Sequence, residues 1–507
     1  MNARSRTGWR APLACGAVGS ALVALGGFGA GAVPVDGGPA AWLGLPGATF
    51  GHGSFLALAV CWVGVALLVG AWLRIGPAAV SGRLPTRTAL TAVAAWSLPF
   101  LPAVPVFSRD AWSYLAQGAM LAAGVSPYEH GPGAVPGVFT DEVSPDWRST
   151  ATPYGPAHLA LLRGIVAASG GSPYVGVLLL RLAVFAALAG LCWGLVALAR
   201  RAGVPPAAAV WAGAASPLAV LHFAGGLHNE IFALVGAVAA VVAALDGRAW
   251  RAAACTGAAI AVKVTAVLVA PFLLWMLLHA HRRRTGRARA GAARTAGYLA
   301  VTALVPLAVV AGLSLLTGTG SGWLAGLAVS DRVVNYLSVP TALAHVVAAC
   351  QDAVGFDDVL AATRDGGRVV LAGVLVVLWW VHRRSAADAL RGVLLALLAF
   401  VLLNSVSWPW YHTWPAAFWV AARPGPRADA LGVGAVVFLV LAIGPNGSTS
   451  LYSPGLAAVA AVAALVTGVW WLRVTERDRS PGAAAPRTGD GSQNAMAWAR
   501  RITSRAR

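Results

Sequence analysis

The stretch RAAACTGAAIAVKVTAVLVAPFLLWMLLHAHRRR, residues 251–284, decides how the chain is read. It is apolar for most of its length, yet both ends are basic. The only lysine of the protein, Lys263, stands near its middle. About 20 apolar residues suffice to cross a hydrocarbon core, so the run is long enough to span. Basic residues collect on the cytoplasmic side of membrane helices. One crossing would therefore put HRRRTGRARAGAAR (281–294) on the wrong side. Two half-length helices bent near Lys263 keep both ends inside. Non-helical backbone at membrane depth is tolerated only where it is buried in protein or lines a cavity. The expectation is a hairpin whose tip carries Lys263 to an internal polar cavity. The alternative is a single tilted span with a snorkelling lysine.

The rest of the chain agrees with a membrane reading. Of 507 residues, 58% are hydrophobic and 11% charged, with a mean hydropathy of +0.72. Soluble domains carry about 25% charged residues. The net charge is +19, from 37 basic and 18 acidic residues. These charges fall in short loops and the C-terminal tail rather than on one face of a domain, which argues against nucleic acid as a partner. Cys15, Cys61, Cys192, Cys255 and Cys350 lack paired spacing and read as free thiols.

The fold class expected is an all-α polytopic integral membrane protein, a bundle of about 12–14 membrane helices, some short or re-entrant. Arg4, Arg6 and Arg10 place the N-terminus in the cytoplasm, and the run 11–31 reads as a retained signal anchor. Spans at 54–73 and 88–106 lead to a long outer stretch, 107–157, rich in Pro, Gly and acids. Residues 158–169 are apolar but too short to cross alone. Further spans follow at 174–199, 205–223, 231–245, 295–316, 366–381, 388–405, 430–445 and 452–472. The membrane domain is bounded at 1–473. The tail, 474–507, is basic and short of aromatics, and reads as disordered and cytoplasmic. Both termini lie inside.

Chemistry concentrates at the outer ends of the spans. Asp110, Glu230 and Asp331 lie at the mouths of apolar sequence, where an ionisable group is a functional candidate by default. On a helix over 108–123, Asp110, Tyr114 and Gln117 share one face, with Ser108 as N-cap. Asp110 then reads either as an acid at a helix start or as a general base facing a cavity. His228, Asn229 and Glu230 read as a polar lining or as the cap of the helix that follows. SWPWYHTWP (407–415) reads as an interfacial aromatic belt or a sugar-stacking platform. The residues offer no convincing metal-ligand set.

The order of motifs carries a resemblance. Arg109-Asp110 opens D-x-x-x-Y and runs into GVSPY (124–128). TPYGP (152–156), GGLHNE (225–230), AVK (261–263) and PWYHTWP (409–415) follow. Over roughly residues 50–475 the chain resembles the GT-C class of polyprenyl-phosphate-sugar glycosyltransferases, and within it the actinobacterial Mpt-type α-(1→6)-mannopyranosyltransferases. The resemblance implies a plasma-membrane enzyme with its active site on the outer face. It would move mannose from polyprenyl-phosphate-mannose to a mannoglycolipid acceptor of the lipomannan type by an inverting displacement, with Asp110 as base. Arg109, Lys263 and Arg332 are the cations available to the donor phosphate. Tyr114, Tyr128, Tyr154, His228, Asn229, Glu230, Trp410, Tyr411, His412 and Trp414 are the substrate-binding candidates. Glu230 stands where family members typically carry Asp, one methylene shorter. A divalent cation could assist; no other cofactor is implied. Alternatives are the same fold using lipid-linked arabinose or glucose, and a transporter or lipid flippase. The absence of a convincing internal repeat favours the enzyme over a transporter.

Overall fold

The computed structural model describes residues 8–286, 291–326, 333–350 and 354–479. The described residues form helices, with one isolated bridge, Ile443–Thr449, and no β-strand. The principal helices are α1 (Arg10–Ala30), α2 (Gly51–Val80), α3 (Thr86–Ser97), α4 (Asp110–Ala122), α5 (Pro156–Ala168), α6 (Pro173–Ala202) and α7 (Pro206–Gly213). They continue with α8 (Glu230–Leu245), α9 (Ala249–Ile260), α10 (Ala270–Thr285), α11 (Ala292–Thr317), α12 (Val339–Cys350) and α13 (Phe356–Val381). The last are α14 (Ala386–Leu403), α15 (Thr413–Ala422), α16 (Pro426–Leu441) and α17 (Pro454–Arg479).

Seven helical stretches among the described residues are long and apolar enough to cross a membrane: α1, α2, α6, Val264–Thr285, α11, α14 and α17. The bent pair Pro206–Gly213 and Pro217–Gly225 makes up to 8. This is fewer full spans than the sequence pattern suggested. Segments such as α8 are apolar because they are buried in protein. Leu234, Val238 and Val241 of α8 are fully shielded. At about 1.5 Å per residue, its 16 residues reach only about 24 Å. A core helix that does not face lipid need not match the bilayer.

Small residues let backbones meet. Gly19 of α1 and Gly64 of α2 abut so closely that a Cβ on Gly64 would sit 2.5 Å from the Gly19 carbonyl oxygen. Such close approach is how membrane helices gain packing energy where apolar burial discriminates little. Elsewhere, the rings of Trp72, Trp211 and Trp471 form a stack, with centroids 4.7 and 5.1 Å apart, tying α17 to α2 and α7. Helix α17 continues to Arg479, so the first residues of the expected tail, from 474, are helical. Residues 480–507 lie outside the described part.

The segment around Lys263 is a hairpin. Helix α9 ends at Ile260, the chain unwinds, and a 3-10 turn, Val264–Val269, leads into α10. Arg283 donates to the Leu245 carbonyl at 3.0 Å, and Arg284 donates to the carbonyls of Asp246 and Gly247. The end of α10 therefore lies beside the start of α9, and both limbs return to one side. Lys263 occupies the apex in extended conformation. Backbone groups freed at the break need partners. The TPYGP loop supplies them: Gly155 N–H donates to the Val262 carbonyl (3.0 Å) and Ala157 N–H to the Ala261 carbonyl (2.8 Å). A Cβ at Gly155 would fall 2.2 Å from the Ala261 oxygen, so only glycine allows this approach.

Candidate active site

Two strained residues launch the site. Phe107 (φ 62°) and Leu227 (φ 60°) are two of the three non-glycine residues with positive φ among the described residues. One precedes Ser108-Arg109-Asp110 and the other precedes His228-Asn229-Glu230. Such conformations cost about 1–3 kcal/mol and persist only where the surroundings enforce them. Here Val106 N–H donates to the Gly225 carbonyl (3.2 Å) and Phe107 N–H to the Pro445 carbonyl (2.6 Å). The turn before Leu227, Val220–Gly225, is π-helical, a form often found at functional sites. Ser108 Oγ accepts the Asp110 amide at 3.0 Å, but the N-cap of α4 is Arg109, so Ser108 stands one residue before the capping position expected of it.

A cavity of about 640 Å³ opens at this end of the bundle. Asp110, Tyr114, Gln117 and Tyr154 line one side, Trp408, Trp410 and Tyr411 the other. Asp110 Oδ2 lies 3.5 Å from the Tyr114 hydroxyl and 3.4 Å from His228 Nδ1. The imidazole is too distant for a well-formed hydrogen bond; catalytic contacts often tighten only when substrate binds. His228 stacks on Trp410 with centroids 3.8 Å apart, and Trp410 stacks on Trp408 at 5.0 Å. Behind this wall Glu230, fully buried, forms an ion pair with Lys263. Lys263 Nζ also sits 4.4 Å from the Tyr411 ring centroid and 5.6 Å from that of Tyr154. Its side chain keeps 13% exposure.

Burial alone pushes the Asp110 carboxyl pKa up. The neighbouring His228, Lys263 and the Ser108 contact outweigh it, and the net direction is down. The basic form of Asp110 is then retained well into acid, and activity that needs it falls only as pH drops through that lowered value. Removing His228 takes away one of these supports. In His228→Leu the acid limb of the kcat profile is expected to move to higher pH, read from initial rates across pH 3–8. An unmoved limb would separate His228 from the titration of Asp110.

Other expected site residues are placed differently. Arg109 lines the cavity rim, but Nη1 donates to the Val33 carbonyl (3.2 Å) and Nη2 to the Glu142 carbonyl (3.3 Å). It thus joins the loops that follow α1 and α4. Tyr128 donates to the Tyr154 carbonyl at 2.8 Å and acts as a strut behind the cavity wall. His412 lines a different, apolar cavity of about 310 Å³ with Trp72, Trp211 and Trp419. Trp414 is buried and lines neither of these two cavities. Asn229 is buried, and its amide atoms have no partner among the described residues. Arg332 and Asp331 lie outside the described residues. Among the described residues no group of three or more His, Cys, Asp or Glu could hold a metal ion.

The sequence reading missed several residues here. Asn446, Gly447 and Ser448 line the cavity, and Gly447 (φ 90°) packs against the backbone of Ser108. His158 is buried edge-on to Tyr114 and Tyr154; its place directly after TPYGPA was a usable signal. His222 contacts both His228 and Trp410. Arg181, the one charge within the run 174–199, was the plainest signal passed over.

Comparison with known proteins adds two family matches and three relatives. The family described as alpha-(1→6)-mannopyranosyltransferase, N-terminal domain, matches residues 13–279. The MptB C-terminal domain matches residues 340–473. Among curated relatives, alpha-(1→6)-mannopyranosyltransferase A of Mycobacterium tuberculosis is 36% identical, over 87% of this chain and 86% of its own. The enzyme of the same name from Corynebacterium glutamicum is 32% identical, over 88% and 96%. The B enzyme of that organism is 31% identical, over 80% and 72%.

Proposed function

Because the chain belongs to the α-(1→6)-mannopyranosyltransferase family and is a membrane mannosyltransferase, we propose that it takes mannose from polyprenyl-phosphate-mannose and adds it to a growing α-(1→6)-mannan glycolipid. The observation that carries this reading is an aromatic-walled cavity lined by Asp110, with Lys263, from a distant segment, held behind its wall against the rings of Tyr411 and Tyr154. Tryptophan and tyrosine faces suit the apolar faces of a sugar.

The acceptor hydroxyl attacks C1 of the donor mannose from the face opposite the phosphate. Asp110 accepts its proton. The C1–O bond to phosphate breaks, the electron pair leaves with the lipid phosphate, and a β donor gives an α product. Charge developing on the leaving oxygen calls for a fixed cation. Lys263 supplies it as a point charge, with Tyr411 and Tyr154 holding the ammonium. Arg332 remains a proposed further contact. No step runs through a divalent cation.

Arg201, Arg248, Arg251, Arg283 and Arg284 gather at the opposite end of the bundle, around Asp246. By the positive-inside rule that end is cytoplasmic, with both termini. The Asp110 cavity then opens on the outer face of the plasma membrane.

The test uses membranes of a host lacking this activity, carrying the native chain. They are supplied with labelled polyprenyl-phosphate-mannose and a mannoglycolipid acceptor. Label is expected in α-(1→6)-linked product. Transfer from lipid-linked arabinose or glucose, with none from the mannose donor, would overturn the donor assignment.

A further inference from the structure

Arg181 lies two turns into α6 and is 1% exposed. None of the ion pairs among the described residues involves it. A cation inside a membrane domain without a counter-ion is expensive, and such residues usually serve a purpose. Its donors go to backbone carbonyls. Nε donates to Ala224 (3.2 Å), and Nη1 donates to both Leu101 (3.3 Å) and Ala103. Nη2 has no partner.

These carbonyls belong to two irregular segments. Residues 101–109 are the unwound approach to α4, and Ala224 lies in the π-turn before α8. The Val106–Gly225 hydrogen bond joins the same two segments a few residues further on. From this junction the chain passes through the strained Phe107 to Asp110, and through the strained Leu227 to His228 and Glu230. The guanidinium fork is rigid and multiply donating, and it replaces the backbone partners that both segments lost by leaving the helix.

We propose that Arg181 is a positioning residue for mannosyl transfer, clamping the two segments so that Asp110 faces the cavity with His228 beside it and the Glu230–Lys263 pair behind the wall. The proposal rests on Asp110 being the base. Arg181 touches no substrate. Its loss misplaces the base and leaves the aromatic walls of the cavity intact. A misplacement of about 1 Å at a reacting centre lowers rate about 10²-fold.

The test compares Arg181→Met, Arg181→Lys and Gly225→Ala with the native chain in the transfer assay. Each protein is checked for membrane abundance and thermal midpoint in detergent. Gly225→Ala strains the junction from the other side without removing charge, since its Cβ would meet Val106 Cγ2 at 2.7 Å. In Arg181→Met the expected result is kcat reduced about 10²-fold with donor KM within about threefold. Arg181→Lys should recover part of the loss, and Gly225→Ala should reproduce the same split. Native kcat in Arg181→Met overturns the proposal. So does a rise in KM matching the loss of kcat/KM, or a loss explained by abundance alone. If Arg181→Met does not accumulate, Arg181→Lys and Gly225→Ala decide by the same split. Absence of transfer by the native chain is a different failure, that of the functional reading itself.

Discussion

Asp110→Asn is expected to lower kcat by about 10²–10⁴-fold, the range a positioned general base contributes. The substitution is isosteric and leaves most of the surroundings in place. The backbone amide of residue 110 still reaches Ser108 Oγ, and the side chain still meets Tyr114 and His228. What is lost is the capacity proposed for it, to accept the acceptor's proton as C1 is attacked. Donor KM should change little, because Lys263, the phosphate contact proposed above, is left in place. Asp110→Glu should fall between native and Asn, since its carboxylate is present but displaced by one methylene. The measurement is initial transfer rate at saturating donor, normalised to membrane abundance. Undiminished transfer in Asp110→Asn would remove this carboxylate from the mechanism. Glu230 could not simply replace it, because its carboxylate is already bound to Lys263.

The hairpin was legible in the sequence because charge is a topological constraint. Arg248 and Arg251 at one end and Arg282–Arg284 at the other cannot sit on opposite sides without violating the positive-inside rule. That Asp110, Tyr154 and Trp410 would share one cavity was legible because polar and aromatic residues at the mouths of apolar runs have few alternative places; Lys263 reaches its wall from behind. The number of full spans was less legible. Hydropathy does not distinguish a helix facing lipid from one enclosed by protein, and α8 is the latter. Direction within a motif was also hidden. Pro409–His412 forms a 3-10 turn, in which successive side chains point about 120° apart. Trp410 and Tyr411 therefore reach the cavity while His412 turns to the other one. Arg109 lines the cavity, yet two of its guanidinium donors go to backbone carbonyls. Those partners, Val33 and Glu142, come from loops whose meeting leaves no periodic trace.

Lys263→Met is expected to abolish transfer and also to destabilise the protein by about 3–5 kcal/mol, the usual result of stripping one partner from a buried ion pair. Glu230 is fully buried, and its second carboxylate oxygen already lacks a partner among the described residues. Without the ammonium it becomes an uncompensated charge in a low-dielectric interior, or takes up a proton to escape that state. Loss of activity in Lys263→Met alone would thus be ambiguous between misfolding and missing chemistry. The double variant Lys263→Met/Glu230→Leu separates them. Replacing a whole buried pair by apolar side chains of similar volume is often neutral or stabilising, so the double variant should regain most of the lost thermal stability. If Lys263 serves only to neutralise Glu230, transfer should return with it. If Lys263 stabilises the leaving phosphate, the double variant remains inactive although folded, because nothing at the hairpin apex then meets the developing charge. Thermal midpoint and transfer rate, measured on the same detergent-solubilised preparations, give the two answers independently.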